Sequence, residues 1–158
     1  MKEFKVFSIG KIINKETNIC ISLESKYSDG LKNLDGYSHI QVIWWADNCD
    51  NEQIRATLVE EKPYKNGPES IGVFALRSPE RPNPIAISNA EISYVDSENG
   101  VIGLYYIDAF DNTPVLDIKP YTPSIDRIEH PEVPQRCRHW PISYEESGDF
   151  PWENEFNF

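Results

Sequence analysis

The sequence predicts a mainly β protein with about seven short strands, folded into a barrel or a sandwich. Three observations predict this class. Short runs of β-branched and aromatic residues recur along residues 2–120, and several of them alternate hydrophobic with polar positions. Turn-forming residues separate these runs at intervals of about 8–12 residues. Helical periodicity is scarce along the chain.

Two strands and one helical turn are predicted near the N-terminus. Residues 2–12 and 17–23 each alternate hydrophobic and polar side chains, as strands with one buried face do. Gly10 marks a bulge or bend in the first of them. Residues 25–36 predict a short helical turn whose tyrosine and leucines point inward.

The middle of the chain holds one strong strand signal and one ambiguous segment. Residues 40–45 are almost continuously hydrophobic, which fits a strand buried on both faces. In residues 50–61, Asp50 and Gln53 resemble a capping box and favour a helix, whereas the alternation from Arg55 onward also permits a strand.

Four further extended runs complete the predicted β structure. They cover residues 70–76, 84–95, 100–110 and, after a turn, 114–116. The SENG segment at 97–100 joins the second and third of them as a hairpin turn.

The character of the sequence changes near residue 120. Six prolines interrupt the remaining chain, so long elements cannot form there. We therefore predict a domain over residues 1–126 and an irregular, proline-rich C-terminal tail over 127–158. The last residues combine acidic and aromatic side chains, and three interpretations stay open: aromatics packed on the domain, a partner-binding tail, or a dimer arm.

The composition limits the function classes. The chain has 158 residues, with 15 Lys and Arg against 26 Asp and Glu, for a formal net charge of −11. A protein that grips nucleic acid over a broad surface needs surplus cations, so this charge counts against such a surface. No hydrophobic run approaches the ~20 residues of a membrane helix and no signal peptide is recognisable, so we predict a cytoplasmic protein without membrane contact.

Cysteine and histidine usage predicts neither disulfides nor a metal site. Cys20, Cys49 and Cys137 are widely separated and odd in number, which argues against a disulfide framework. His130 and His139 flank Cys137, but this spacing matches no zinc pattern. The sequence also lacks a phosphate loop, a nucleotide-binding glycine fingerprint and a serine nucleophile elbow.

The segment over residues 72–88 carries the most chemical information. It joins two predicted strands and contains Arg77, Arg81 and three prolines, which hold the intervening loop rigid. Two guanidinium groups on a rigid loop suit a carboxylate or a phosphate, and Asn83 lies between two of the prolines. The alternative is that the prolines only turn a corner while the arginines pair with surplus acids.

Two other segments carry candidate functional groups. Asp111 and Asn112 form a turn in which Asn112 tolerates a left-handed backbone, and Asp117 and Lys119 then share one face of a strand. The alternative for this pair is a surface ion pair. His39, directly before the hydrophobic strand, is either a base, a ligand or a structural histidine.

Three motifs in this order resemble the TsaA-like family, whose characterised members are the tRNA-methyltransferase O enzymes. They are LKNLDGYSHI at 31–40, GVFALRSPERPNPIAIS at 72–88 and DNTPVLDIKPY at 111–121. The resemblance covers residues 4–126. It implies a small, mostly antiparallel TsaA-like β-barrel that forms a homodimer and binds S-adenosylmethionine without a metal. It also implies a strand, not a helix, over residues 54–61.

The resemblance assigns candidate site residues by their positions in the motifs. The cofactor-binding candidates are Asp47, Asn48, Arg77, Ser78, Arg81, Ile87, Asp108, Ala109, Phe110, Asp111 and Asn112. The candidate catalytic groups, which are the polar groups able to assist the acceptor, are His39, Asn83, Asp111 and Asp117. The substrate-binding candidates are Arg81, Asn83, Lys119 and Tyr121.

The implied activity is methyl transfer to the exocyclic nitrogen of threonylcarbamoyl-adenosine beside a tRNA anticodon. The sequence departs from the family pattern at Leu76, Ala86 and Asn112, where the family has Thr, Gly and Gly, and it lacks a Pro-Arg-Gln segment near the N-terminus. The charge and these departures keep two alternatives open. One is a methyltransferase for a small molecule, and the other is a non-catalytic S-adenosylmethionine-binding module.

Overall fold

The computed structural model describes residues 2–157 and contains a closed barrel of six antiparallel strands. The strands are β1 (Gly10–Lys15), β2 (Asn18–Leu23), β3 (His39–Trp45), β4 (Val59–Glu61), β5 (Ser70–Gly72), β6 (Ile85–Asp96), β7 (Val101–Leu104) and β8 (Pro114–Pro120). The barrel order is β1-β2-β7-β6-β3-β8, and β1 closes the barrel by pairing with β8. A separate two-stranded sheet pairs β4 with β5.

The helical elements are all short. Three α-helical turns are α1 (Glu52–Arg55), α2 (Pro123–Asp126) and α3 (Tyr144–Ser147). Five 3₁₀ turns cover Ser25–Leu31, Asp47–Cys49, Val73–Ala75, Gln135–Cys137 and Trp152–Asn154. Within residues 2–157, no helix is long and hydrophobic enough to cross a membrane. The mainly β class is therefore confirmed, and of the two predicted architectures the protein adopts the barrel.

β-Branched side chains from the inner faces of the strands fill the barrel. Ile12, Ile21, Ile40, Ile102 and Val115 are completely buried. Leu31 and Leu34, which follow β2 in and after a 3₁₀ turn, also join this core, as predicted. A six-stranded barrel has an interior narrow enough to be filled by side chains, so the ligand-sized space lies outside the core.

The first predicted strand is shorter than expected. β1 begins only at Gly10, and Phe4, Val6 and Phe7 are exposed. The reason is the partner strand: β2 ends at Leu23, which pairs with Gly10, and the chain then turns into a 3₁₀ helix. Residues before Gly10 therefore have no β2 partner.

The ambiguous segment contains both a helix and a strand. Residues 52–55 form α1, capped by Asn51, whose Oδ1 accepts a hydrogen bond from the Ile54 N–H at 2.9 Å. The expected strand over 54–61 is therefore wrong for its first half, and only Val59–Glu61 forms β4. The local Asn51 cap competes successfully with the alternating pattern.

Two further predicted runs are truncated, while the hairpin turn is confirmed. The run over 70–76 forms β5 and then a 3₁₀ turn, and the run over 100–110 ends its strand at Leu104. The turn between β6 and β7 places Gly100 at a φ of 68°, and Asp96 accepts a hydrogen bond from the Asn99 N–H at 3.1 Å. Asn112 also has the predicted left-handed backbone, with a φ of 67°.

The C-terminal tail folds back on residues 62–65. Its aromatic rings form a cluster around Tyr64, whose ring centroid lies 5.4 Å from those of Trp140 and Phe156. Glu155 is buried within the tail and accepts hydrogen bonds from His139 Nε2 at 2.9 Å and Trp140 Nε1 at 3.0 Å. This packing agrees with the first of the three interpretations of the tail, and the domain boundary at residue 126 stays a prediction.

Candidate functional site

A cleft of about 700 Å³ lies beside the barrel, where the end of β3, the start of β6 and two loops meet. We call residues 76–84 the arginine loop and residues 105–113 the aspartate loop. The volume is within the range of about 300–1,000 Å³ that is usual for small-molecule sites. Eight predicted site residues line the cleft: Asp47, Asn48, Arg77, Arg81, Ile87, Asp108, Ala109 and Phe110.

The two arginines of the arginine loop have different surroundings. Arg81 donates three hydrogen bonds to backbone carbonyls: from Nε to Ser78 at 2.6 Å, and from Nη2 to Leu76 at 2.7 Å and Val73 at 3.1 Å. Arg77 is exposed, and within residues 2–157 its guanidinium donates a single bond, from Nη2 to the Ile87 carbonyl at 2.9 Å. Arg81 therefore holds the loop in shape, while Arg77 keeps donors for a ligand.

Arg55, at the end of α1, also stabilises the arginine loop. Its Nε donates to the Pro82 carbonyl at 2.9 Å, and its Nη1 to Asp50 Oδ1 at 3.0 Å. Asp50 also accepts a bond from Trp45 Nε1 at 3.0 Å. Asn83 Oδ1 lies 3.4 Å from Arg55 Nη2, so this candidate catalytic amide faces α1 and lies outside the cleft lining.

The aspartate loop is held by polar side chains of β1. Asn14 Nδ2 donates to the carbonyls of Ala109 at 2.7 Å and Ile107 at 3.2 Å. The Asn14 N–H donates to Asp111 Oδ1 at 3.0 Å, and Lys11 donates to Asn112 Oδ1 at 3.0 Å. Asp111 and Asn112 thus support the turn itself and lie outside the cleft lining.

The remaining predicted residues lie away from the lining. Asp117 and Lys119 form an ion pair at 2.7 Å with both side chains more than half exposed, which matches the surface alternative. His39 and Tyr121 lie together at the barrel rim, with ring centroids 6.5 Å apart. Ser78 belongs to the arginine loop, where its Oγ accepts a bond from the Glu80 N–H at 3.2 Å.

Several lining residues were not predicted. Trp44 lines the cleft and donates from Nε1 to Ser88 Oγ at 3.0 Å, across the β3–β6 pair. Asn14 and Tyr106 also line it. The sequence offered weak signals for two of these lining residues: Trp44 lies near the end of a predicted strand, and Tyr106 follows β7. Nothing in the sequence around Asn14 indicated that it lines the cleft.

The cleft lining combines the exposed guanidinium of Arg77 with two carboxylates, those of Asp47 and Asp108. Burial raises the pKa of the Cys49 thiol, and the nearby charges of Glu80 and Asp47 raise it further. Burial also raises the pKa of Tyr106, and the Asp108 carboxylate adds to that shift. The rest of the lining mixes hydrophobic side chains with polar ones such as Asn14, Asn48 and Ser88. The cleft therefore suits a ligand with a planar apolar part and charges of both signs.

Comparison with known proteins identifies relatives of the whole barrel. The family described as the tRNA-methyltransferase O N-terminal domain matches residues 8–127. An S-adenosyl-L-methionine-binding protein of Archaeoglobus fulgidus is 36% identical over 115 residues, covering 73% of this chain and 77% of that protein. A tRNA (adenine(37)-N6)-methyltransferase of Escherichia coli is 35% identical over 103 residues, covering 64% of this chain and 43% of that enzyme.

The fold also matches a solved structure. The crystal structure of TrmO from Pseudomonas aeruginosa aligns with a TM-score of 0.63 and 24% sequence identity, covering 83% of this chain and 62% of that one. The match supports the barrel fold. In the sequence comparisons, the matched part of the chain spans most of the A. fulgidus protein and less than half of the E. coli enzyme.

Proposed function

The chain belongs to the tRNA-methyltransferase O N-terminal domain family, and on this premise we propose that it binds S-adenosylmethionine in the cleft and methylates an adenosine of tRNA. One observation carries the proposal. Residues of the arginine loop, which lies within the longest family motif, and the residues just before the third motif line the same ligand-sized cleft. The A. fulgidus and E. coli relatives support the cofactor and the reaction class.

The residues of the cleft fit the charges of S-adenosylmethionine. Arg77 has guanidinium donors for its carboxylate. The carboxylates of Asp47 and Asp108 suit its ammonium and sulfonium charges and its ribose hydroxyls. Ile87 and Phe110 are about half and three-quarters exposed, respectively, and offer hydrophobic surface to the adenine.

The reaction needs alignment and removal of a proton. The bound cofactor supplies a methyl group already activated by its positive sulfur, so the protein mainly orients donor and acceptor. The acceptor nitrogen must lose a proton to a group within hydrogen-bond reach. Asp47 and Asp108 are the carboxylates that line the cleft, and we assign this role to Asp108, which lies beside Tyr106. His39, Asn83, Asp111 and Asp117 lie outside the lining.

The finer part of the proposal concerns the acceptor. We propose the exocyclic nitrogen of threonylcarbamoyl-adenosine next to the anticodon, which the family resemblance implies. A homodimer and a cytoplasmic location are part of the same proposal.

A second candidate is methyl transfer to a small or cationic acceptor. The net charge of −11 favours it, as does the presence of Asp47 and Asp108 in the cleft, because both weaken attraction of a polyanion. A substrate without phosphates would meet no such penalty.

Two measurements test the proposal. Calorimetry with S-adenosylmethionine should show saturable binding to the wild type. Arg77→Ala should weaken it about tenfold or more, as expected for loss of a charge-assisted bond of ~1.5–3 kcal/mol. Arg127→Ala removes an exposed arginine that does not line the cleft and serves as the matched control.

The acceptor is tested on tRNA from a strain that lacks the gene. Incubation of this tRNA with the protein and S-adenosylmethionine should restore the methylated nucleoside, detected by mass spectrometry. Asp108→Asn should slow methyl transfer at saturating S-adenosylmethionine, and this loss of rate should exceed the loss of cofactor affinity that removal of the same carboxylate causes. Cofactor binding without methylation of any tRNA nucleoside would favour the small-acceptor candidate. No cofactor binding would contradict the proposal as a whole.

A further inference from the structure

An aromatic surface lies beside the cleft at one end of the barrel. We define the aromatic rim as His39, Tyr106, Tyr121 and Tyr144. We propose that this rim binds the unpaired purine base of an RNA acceptor by stacking, with Tyr144 supplied by the C-terminal tail. This inference rests on the proposed function and names the surface that presents the acceptor to the cleft.

The topology of the barrel gathers three of the four rings. Strands β7, β6, β3 and β8 are neighbours in that order. The Tyr105 N–H donates to the Glu91 carbonyl at 3.1 Å, Glu91 pairs with His39, and the Tyr121 N–H donates to the His39 carbonyl at 3.0 Å. Adjacent strands lie about 4.8 Å apart, so these residues follow one another along one end of the barrel. Tyr106 comes directly after Tyr105 and also lines the cleft.

The tail adds the fourth ring. Tyr144 begins α3, and its ring centroid lies 6.2 Å from that of His39, with the two planes at 88°. The Ser143 hydroxyl caps this helical turn by accepting a bond from the Glu146 N–H at 3.3 Å. Burial raises the pKa of Tyr106, and the nearby Asp108 and Tyr144 raise it further, so Tyr144 of the tail lies near the cleft side of the rim.

The rim keeps enough open surface for a ligand. Tyr106 is 60% exposed and Tyr144 is 44% exposed. Rings of this exposure are typical of surfaces on which unstacked bases lie, and base–aromatic stacking contributes about 1–3 kcal/mol per base. No function assigned to the cleft uses Tyr144, whose ring points to the barrel and not to the hydrophobic cluster of the tail around Tyr64.

The charges around the rim favour a base over a phosphate. Glu91 and Glu145 interact with Tyr144, and Asp108 interacts with Tyr106. Lys119, on the neighbouring β8, is paired with Asp117. These carboxylates repel phosphates, whereas stacking requires no cation. The same carboxylates would also suit a cationic ligand. The experiment is therefore designed to distinguish a stacked base from a bound cation.

The experiment compares two labelled single-stranded RNA heptamers by fluorescence anisotropy. One carries a single central adenosine among uridines, and its twin carries an abasic site there. The wild type should bind the adenosine heptamer about tenfold more tightly than its twin, because stacking of one base contributes on this scale. The preference should change little between 50 and 200 mM salt, since both heptamers carry the same phosphates.

Variants locate this preference on the rim. Tyr144→Ala and Tyr106→Ala should each reduce the preference about fivefold or more, and Tyr144→Phe should keep it, because stacking needs the ring and not the hydroxyl. Phe4→Ala removes an aromatic ring that is 79% exposed and outside the family match, and should leave the preference unchanged. Tyr106 lies in the aspartate loop and outside the tail, so its variant is informative even if Tyr144→Ala loosens the tail.

Three results would overturn the inference. They are equal affinity for the two heptamers, an unchanged preference in both alanine variants, and loss of the preference on addition of millimolar tetramethylammonium, which would identify a cation site. Calorimetry with S-adenosylmethionine on the same samples separates the two proposals. Normal cofactor binding without base discrimination overturns the rim alone, whereas absence of cofactor binding overturns the proposed function and the rim with it.

Discussion

The cleft loops and the C-terminal tail are both irregular, but they are stabilised in different ways. The arginine and aspartate loops are held by side-chain donors that satisfy backbone carbonyls, chiefly from Arg81 and Asn14. The tail is held by packed aromatic rings around one buried carboxylate, Glu155. Directional hydrogen bonds define atomic positions, whereas aromatic packing contributes area and tolerates adjustment. We therefore expect substitutions in the loops to weaken ligand binding more than substitutions in the tail do. Substitutions in the tail should mainly lower the stability of the tail itself.

The largest effect is expected at Arg81. Arg81→Met keeps the hydrophobic stem but removes three hydrogen bonds to the carbonyls of Val73, Leu76 and Ser78. We expect a loss of about 2–3 kcal/mol in the free energy of unfolding, since charged hydrogen bonds contribute roughly 1.5–3 kcal/mol each and partial solvation reduces the sum. Affinity for S-adenosylmethionine should fall by more than tenfold. Denaturant unfolding measures the loss of stability, and calorimetry measures the loss of cofactor affinity. Wild-type cofactor affinity in the variant would show that the arginine loop does not depend on the hydrogen bonds of Arg81.

A smaller effect is expected at Asn14. Asn14→Ala removes the side-chain bonds to Ile107 and Ala109 but leaves the β1 backbone in place. Two neutral hydrogen bonds contribute about 0.5–1.5 kcal/mol each, so we expect a loss of about 1–2 kcal/mol in stability and a several-fold loss of cofactor affinity. Asn18→Ala, on an exposed position of β2, is the matched control. Equal cofactor affinity in the two variants would contradict the role assigned to Asn14.

The tail should respond to acid through its buried carboxylate, Glu155. The hydrogen bonds from His139 and Trp140 lower the pKa of Glu155 below its usual value. A carboxyl group whose pKa is lowered in the folded state stabilises that state above its unfolded pKa, and this contribution is lost as the pH falls through the folded pKa. The fluorescence of Trp140 and Trp152 should therefore report loosening of the tail only in acid, below the ordinary glutamate pKa of about 4.3.

The variant Glu155→Gln removes this titration. Its tail should be less stable than that of the wild type at neutral pH, and its fluorescence should lack the acid transition, while cofactor affinity stays near wild type. A cofactor affinity that falls together with the tail signal would show that the two regions are one cooperative unit, against the contrast drawn between them.

The smallest effect is expected at Asn112. This residue has a φ of 67°, which glycine adopts without strain. Its side chain accepts an exposed bond from Lys11 and donates one to Asp111 Oδ2 at 2.9 Å. In Asn112→Gly, the relief of backbone strain and the loss of these two exposed bonds should nearly cancel, with a change of less than about 1 kcal/mol in stability. Thermal unfolding measures it, and a loss of several kcal/mol would mean that the aspartate loop depends on the Asn112 side chain.

The parts of the fold that follow from local pattern were predictable. The alternation in residues 17–23, the hydrophobic run that became β3 and the hairpin turn at Gly100 all appear in the structure. Strand ends were less predictable, because β1 begins opposite the residue at which β2 ends, and such pairing is not visible in a single strand. Local capping was also hard to predict. The Asn51 side chain caps α1, and this segment forms a helix although its alternating pattern also permitted a strand.

The candidate site was predictable in its location but not in the division of roles. The family resemblance identified eight of the residues that line the cleft, including Arg77 and Asp108. It could not distinguish Arg77 from Arg81, because which guanidinium is occupied by backbone carbonyls depends on the path of the loop. Asn14 and Tyr144 approach the cleft region from sequence-distant segments, and nothing in their own sequence surroundings indicates that approach.

The most direct test of the account is a titration of ¹⁵N-labelled protein with S-adenosylmethionine, followed by two-dimensional NMR. We predict saturable shifts of the backbone amides in residues 76–81 and 106–113, with the amides of residues 150–157 unchanged. Shifts confined to the tail, or no saturable shifts at all, would contradict the assignment of the cleft as the cofactor site.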